Sequence, residues 1–113
     1  MNKVCLLGRL TKDVDLKFAA GSGTAVASFT LAVNRKFKKD EADFINCKAF
    51  AKTAEILAQY VFKGQQLSVT GHILTGKYKN KEGKDVYTTE VIVESFDFIS
   101  QGNKEQAKKD NSL

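Results

Sequence analysis

The 113-residue chain has no tryptophan, no proline, one histidine, one methionine and two cysteines. Two cysteines cannot build the disulfide framework that holds many small secreted domains together. Cys5 and Cys47 form no Cys-x-x-Cys pair, so both read as reduced, buried thiols on strands. With His72 as the only histidine, a zinc site has at most three N/S ligands where structural sites usually have four, so no metal is expected. Apolar runs stay far short of the roughly 18 residues that span a bilayer, so no membrane partner is expected. The N-terminal stretch lacks the length and cleavage site of a signal peptide and reads as the first strand of a cytosolic, hence cytoplasmic, protein. The combinations that make catalytic sites are missing as well. Ser28, Ser68 and Ser95 fall in strands without a neighbouring histidine or a Gly-x-Ser-x-Gly turn, and there is no Walker-type loop. Asp13, Asp15, Asp40, Glu41 and Asp43 lie among lysines and read as solvated charge. No enzyme activity and no cofactor are expected.

The remaining composition, 42% hydrophobic and 27% charged, is that of a single soluble domain. A net charge of +5 favours anionic partners, though only moderately. Residues 2–10 read as a strand, 13–18 as extended chain, and 20–23 as a turn. The long alternating strand over 24–35 sends Ala25, Ala27, Phe29, Leu31 and Val33 inward. A charged loop over 36–42 leads to a strand over 43–51. Residues 53–62 form the only helix, with Thr53 as its cap, Ile56, Leu57, Tyr60 and Val61 as its apolar stripe, and Gly64 at its end. A strand over 67–78, with Leu67, Val69 and Ile73 on its core side, turns at 80–84 into a last strand over 86–99. Beyond residue 100 apolar residues nearly vanish, which predicts a domain over 1–100 and a short disordered tail over 101–113. Five strands with one helix between the third and fourth predict an all-β OB-fold, a Greek-key barrel.

The most informative stretch is Asp43-Phe44-Ile45-Asn46-Cys47-Lys48-Ala49-Phe50. Alternation puts Ile45, Cys47 and Ala49 on a small apolar face and Phe44, Asn46, Lys48 and Phe50 on the other. Burying both faces would strand Lys48 in a low dielectric, so the second face belongs in water. Rings beside cations suit a polyanion with flat bases, single-stranded nucleic acid. Phe37, Phe44, Phe50 and Tyr78 are the candidate stacking platforms. Candidate phosphate contacts are Lys3, Lys17, Arg35, Lys36, Lys48, Lys52, Lys63, Lys77 and Lys79, with Lys48 and Lys77 the foremost.

The series Asn2-Lys3-Val4-x-Leu6-x-Gly8-x-Leu10, Ala27-x-Phe29-x-Leu31-Ala32, Phe50-Ala51-Lys52-x-Ala54-Glu55, Tyr60-x-x-Lys63-Gly64, Val69-x-Gly71 and Tyr87-Thr88-Thr89-Glu90-Val91 resembles the bacterial and phage single-stranded DNA-binding proteins, a homotetrameric OB-fold family. The resemblance implies binding of single-stranded DNA without marked sequence preference, wrapped during replication, recombination and repair in the bacterial nucleoid or a phage-infected cytoplasm. By position it places Phe37, Phe44 and Tyr78 where familiar members carry tryptophan, and Phe50 where they carry phenylalanine. Lys3, Lys17, Lys52, Lys63 and Lys77 fall on basic positions of the family. Asn46 and Gly76 replace basic residues, with Lys48 and Lys79 nearby to offset them, and Ile45 stands where some members have a subunit-contact histidine. The family's acidic tip, which recruits replication and repair enzymes, has no counterpart in Lys108-Lys109-Asp110-Asn111-Ser112-Leu113, so recruitment does not carry over. Alternative readings are a single-stranded RNA binder or primosomal OB-fold protein, or a structural OB subunit whose rings form a protein–protein interface.

Overall fold

The computed structural model describes residues 1–38 and 40–100. In chain order these form β1 (Val4–Leu10), β2 (Asp15–Phe18), β3 (Ala25–Asn34), β4 (Ala42–Phe50), α1 (Ala51–Tyr60), β5 (Gln66–Lys79) and β6 (Asp85–Ser100). The tail expected over 101–113 lies outside the described residues.

Hydrogen bonding runs in the order β1-β5-β6-β4-β3-β2, and β1 also pairs with β3, which closes the sheet into the OB barrel. All pairs are antiparallel except β4 and β6, which meet in parallel at Cys47↔Val91 and Lys48↔Ile92. The five expected strands become six segments because the first one breaks. Arg9 and Leu10 of β1 pair with Ala32 and Leu31, and after the break β2 pairs Asp15–Phe18 with Ser28–Ala25 of the same strand. The Thr11 amide donates to the Thr30 carbonyl at 3.1 Å across that gap, so one bent strand covers β3 in two pieces. The helix therefore follows the fourth segment.

The interior is built from strand alternation. Ala25, Ala27, Phe29 and Leu31 of β3, Cys47 and Ala49 of β4, and Leu67 and Val69 of β5 all point inward and are buried. α1 closes one end of the barrel with Ala54 and Leu57, joined by Val61 just past it. The helix starts two residues earlier than expected. Ala51 takes a left-handed φ of 55°, which turns the chain straight out of β4, and Phe50 occupies the cap position with no side-chain capping bond. Thr53 is thus inside the first turn rather than capping it. Tyr60, expected on the apolar stripe, is 55% exposed, because the buried stripe is Ala54, Leu57 and Val61. Cys5, expected to be buried, is exposed: Leu6, Gly8 and Leu10 take the inner parity of β1.

Two bulges in β6 keep it on the barrel. Thr70↔Ser95 is followed by Gly71↔Val93, which leaves Glu94 as an extra residue, and Ile99 is left over in the same way further on. The first bulge flips the parity, so Val91 and Val93 before it and Phe96 after it all pack on the core. Glycine is required opposite it, since a Cβ on Gly71 would overlap the Ile92 carbonyl oxygen. Past Ile73, β5 and the paired half of β6 leave the barrel as a two-stranded arm. Ile73, assigned by parity to the core, shares the face of its buried partner Val91 but is 43% exposed, because it sits at the rim where the arm begins. The arm ends in a tight turn, where the Asn80 Oδ1 accepts the Glu82 and Lys84 amides at 2.9 and 3.0 Å.

Candidate nucleic-acid interface

The outer face of the barrel is continuous across five strands. Cross-strand partners share a face, so the register Asp15↔Ser28↔Lys48↔Ile92↔His72 traces one row over β2, β3, β4, β6 and β5. Lys17↔Val26↔Phe50 lies beside it on one side, and Thr30↔Asn46 then Ala32↔Phe44 lie on the other. Along β5 the same parity leads from His72 through Leu74 and Gly76 to Tyr78. Phe44, Lys48, Phe50 and Tyr78 therefore share one surface, with Phe44 68%, Phe50 43% and Tyr78 57% exposed.

Phe37 stands apart in the loop between β3 and β4. Its ring is 88% exposed, with the Lys36 Nζ 5.6 Å from the ring centroid. The loop is fixed at its base by Arg35, whose amide donates to the Glu41 carbonyl and whose guanidinium binds Asp43 at 3.0 Å. That contact, with Glu41 at 3.7 Å, occupies Arg35 with two carboxylates.

The lysines divide into two groups. Lys36, Lys52 and Lys63 have no ion-pair partner among the described residues. Lys63 is placed by its amide, which donates to the Asp13 Oδ1 at 2.8 Å. The others are engaged: Lys3 with Glu94 at 2.6 Å, Lys17 with Asp15 at 3.7 Å, and Lys48 with Glu90 at 3.3 Å. Lys77 and Lys79 converge on Asp85 at 3.8 and 3.3 Å. These two share one face of the arm, the face of Tyr87 through Lys77↔Tyr87, whereas Tyr78 pairs with Val86 on the other. Lys77, ranked with Lys48 from the sequence, is on the opposite side of the arm from the Phe44–Lys48–Phe50 surface. Most of these pairs are solvent-exposed and of little net strength, so phosphates can compete for the cations.

Two residues escaped the sequence reading. Glu90 holds Lys48, and Tyr87 is 74% exposed on the arm's second face. Alternation about Val91 and Val93 already points Glu90 outward. Its encounter with Lys48 depends on the parallel β4–β6 register, which the sequence does not carry. Elsewhere, hydrogen bonds from Lys3, then from His72, hold the Glu94 carboxyl below its ordinary range. Burial pushes the Cys47 thiol up to about 12, so it is inert packing at neutral pH.

The single-strand binding protein family matches residues 1–99. A single-stranded DNA-binding protein of Clostridium perfringens (strain 13 / Type A) is 69% identical over 103 residues, covering 91% of this chain and 69% of the relative. Single-stranded DNA-binding protein 3 of Clostridium acetobutylicum is 52% identical over 106 residues, covering 91% of this chain and 74% of that protein. A single-stranded DNA-binding protein of Enterococcus faecalis is 52% identical over 103 residues, or 88% of this chain and 54% of its own. With the closed barrel and the match across its described length, the chain belongs to the single-strand binding protein family.

Proposed function

We propose that this protein binds single-stranded DNA without marked sequence preference and coats it during replication, recombination and repair, as a non-enzymatic cytoplasmic protein. The observation that carries this reading is the shared surface of Phe44, Lys48, Phe50 and Tyr78. Bases stack on its rings and phosphates draw on the surrounding lysines. Phe37, Arg35 and Lys36 extend the surface from the loop, Lys17 and Lys52 flank Phe50, and Lys3 and Lys63 extend the positive border. Lys77 and Lys79 attract the strand from the far side of the arm. The domain over 1–100 is the binding and assembly unit, and a homotetramer is the expected state. Two features support assembly. β1 pairs with β3 only at Arg9 and Leu10, which leaves an open edge over Val4–Gly8. Leu7 and Leu74 are each 50% exposed and gain burial in an oligomer.

The test is a titration of labelled oligo-dT, duplex DNA and single-stranded RNA, followed by fluorescence anisotropy at several salt concentrations. Neutralising about six phosphates per protomer at about −0.7 each gives a log–log salt slope of about −4. Tight dT binding with weak duplex binding is the expected result. Equal affinity for RNA would move the assignment to an RNA binder. An absence of binding at low salt would leave the rings as a protein interface.

A further inference from the structure

β1 and β3 pair only at Arg9↔Ala32 and Leu10↔Leu31, and from Gly8 back toward Val4 the two strands are no longer joined. Gly8 permits the close approach at the junction, because a Cβ there would stand 2.7 Å from the Ala32 carbonyl oxygen. Between the strands lies a groove of about 460 Å³, within the roughly 300–1,000 Å³ of ordinary ligand clefts. Arg9 and Lys36 line it, and no carboxylate does. The depression between β2, β3, β4 and β6 has the opposite balance, with Lys12 against Asp13, Asp15 and Glu90. Of the two, the groove beside β1 is the one that suits a phosphate.

Strand register puts Arg9 on the nucleic-acid surface. Gln66↔Arg9↔Ala32↔Phe44 is one row over β5, β1, β3 and β4, so Arg9 and Phe44 share an outer face two strand spacings apart, about 10 Å. Lys36 joins it from the loop, where its Nζ stands over the Phe37 ring. The two arginines of the chain differ in what holds them. Arg35 is occupied by Asp43 and Glu41, whereas Arg9 has no carboxylate partner among the described residues. Its Nη1 donates to the Gly64 carbonyl at 2.9 Å, which fixes the guanidinium and leaves the rest of the fork free. A fork held by a neutral acceptor keeps its full charge and matches a phosphate with two parallel donors. Arg9 pairs with a neighbour on both sides, so it also lies outside the open edge over Val4–Gly8.

We infer that Arg9 and Lys36 form a phosphate subsite that grips the backbone of the bound strand beside Phe44, with Arg9 as its anchor. The inference rests on the single-stranded DNA reading and extends the strand's path from β4 across β3 to β1.

The test compares the salt dependence of oligo-dT binding, read by anisotropy, for wild type, Arg9→Gln, Lys36→Gln, Arg9→Lys and Lys84→Gln. Each variant is confirmed folded by circular dichroism. Lys84→Gln removes the same charge from the turn at the end of the arm, away from the groove. One lost phosphate contact on a single strand makes the log–log slope shallower by about 0.7, here from about −4 to about −3.3. Arg9→Gln and Lys36→Gln are each expected to show that loss, and Arg9→Lys and Lys84→Gln to keep the wild-type slope. Losing only the structural contact to Gly64 would weaken binding without moving the slope. An unchanged slope in Arg9→Gln or Lys36→Gln, or the full loss in Arg9→Lys or Lys84→Gln, would overturn the inference and leave single-stranded DNA binding intact. Failure of the wild type to bind oligo-dT at low salt would overturn both.

Discussion

β4 and the β5–β6 arm both carry exposed aromatic rings on extended backbone, but they differ in what lies beneath. β4 rests on the barrel, so Cys47 and Ala49 are fully enclosed and Phe44 and Phe50 are forced to the outside. The arm projects past the core, so Tyr78 and Tyr87 are both exposed, on opposite faces. An outward ring is a specific statement only where the inward face is occupied. On β4 geometry leaves no choice. On the arm, only continuity with the rest of the surface separates Tyr78 from Tyr87.

The largest effect that sharpens this contrast is on stability. Leu57→Ala, under the barrel end, should cost about 2–5 kcal/mol through lost burial and the cavity left behind. Tyr78→Ala on the arm should stay within about 0.5 kcal/mol, since it touches no core. Urea denaturation of the two variants measures both, and comparable losses would mean that the arm is packed on something. A smaller effect separates the arm's faces. Tyr78→Ala should weaken oligo-dT binding by about 1–3 kcal/mol, one stacked base, whereas Tyr87→Ala should leave a change of less than about twofold, within the spread of a non-stacking surface residue. If Tyr87→Ala has the larger effect, the strand follows the Lys77 face instead. The smallest perturbation concerns the inner face of β4. Because burial holds the Cys47 thiol protonated to a pKa of about 12, it should resist a thiol reagent at mildly alkaline pH until the protein is unfolded. Rapid labelling of Cys47 in the folded protein would show that β4 opens from the barrel.

The same contrast explains what the sequence could disclose. β3 and β4 were legible because each has one buried face, and period-two alternation registers that directly. The ring surface followed, since Phe44 and Phe50 had nowhere else to go. Ile73 keeps the core parity of β5 yet sits at the rim of the barrel, and nothing local in the sequence marks the point where the core stops. Thr53 had the chemistry of a helix cap. The turn into α1 is instead made by the left-handed backbone of Ala51, a conformation that no side chain there announces. The pairing of Lys48 with Glu90, and of Lys77 and Lys79 with Asp85, was hidden for a different reason. Each depends on cross-strand register, and the parallel β4–β6 contact in particular joins segments 42 residues apart at Lys48 and Glu90.

The central claim is that single-stranded DNA stacks on the outer face of β4. It is tested most directly by the Phe44→Ala, Phe50→Ala double variant, with labelled poly-dT read by anisotropy and folding verified by circular dichroism. Both rings are exposed enough for the fold to survive their loss. Removing two stacking contacts of roughly 1–3 kcal/mol each should weaken binding by at least about thirtyfold. A folded double variant that binds poly-dT as tightly as wild type would contradict the account.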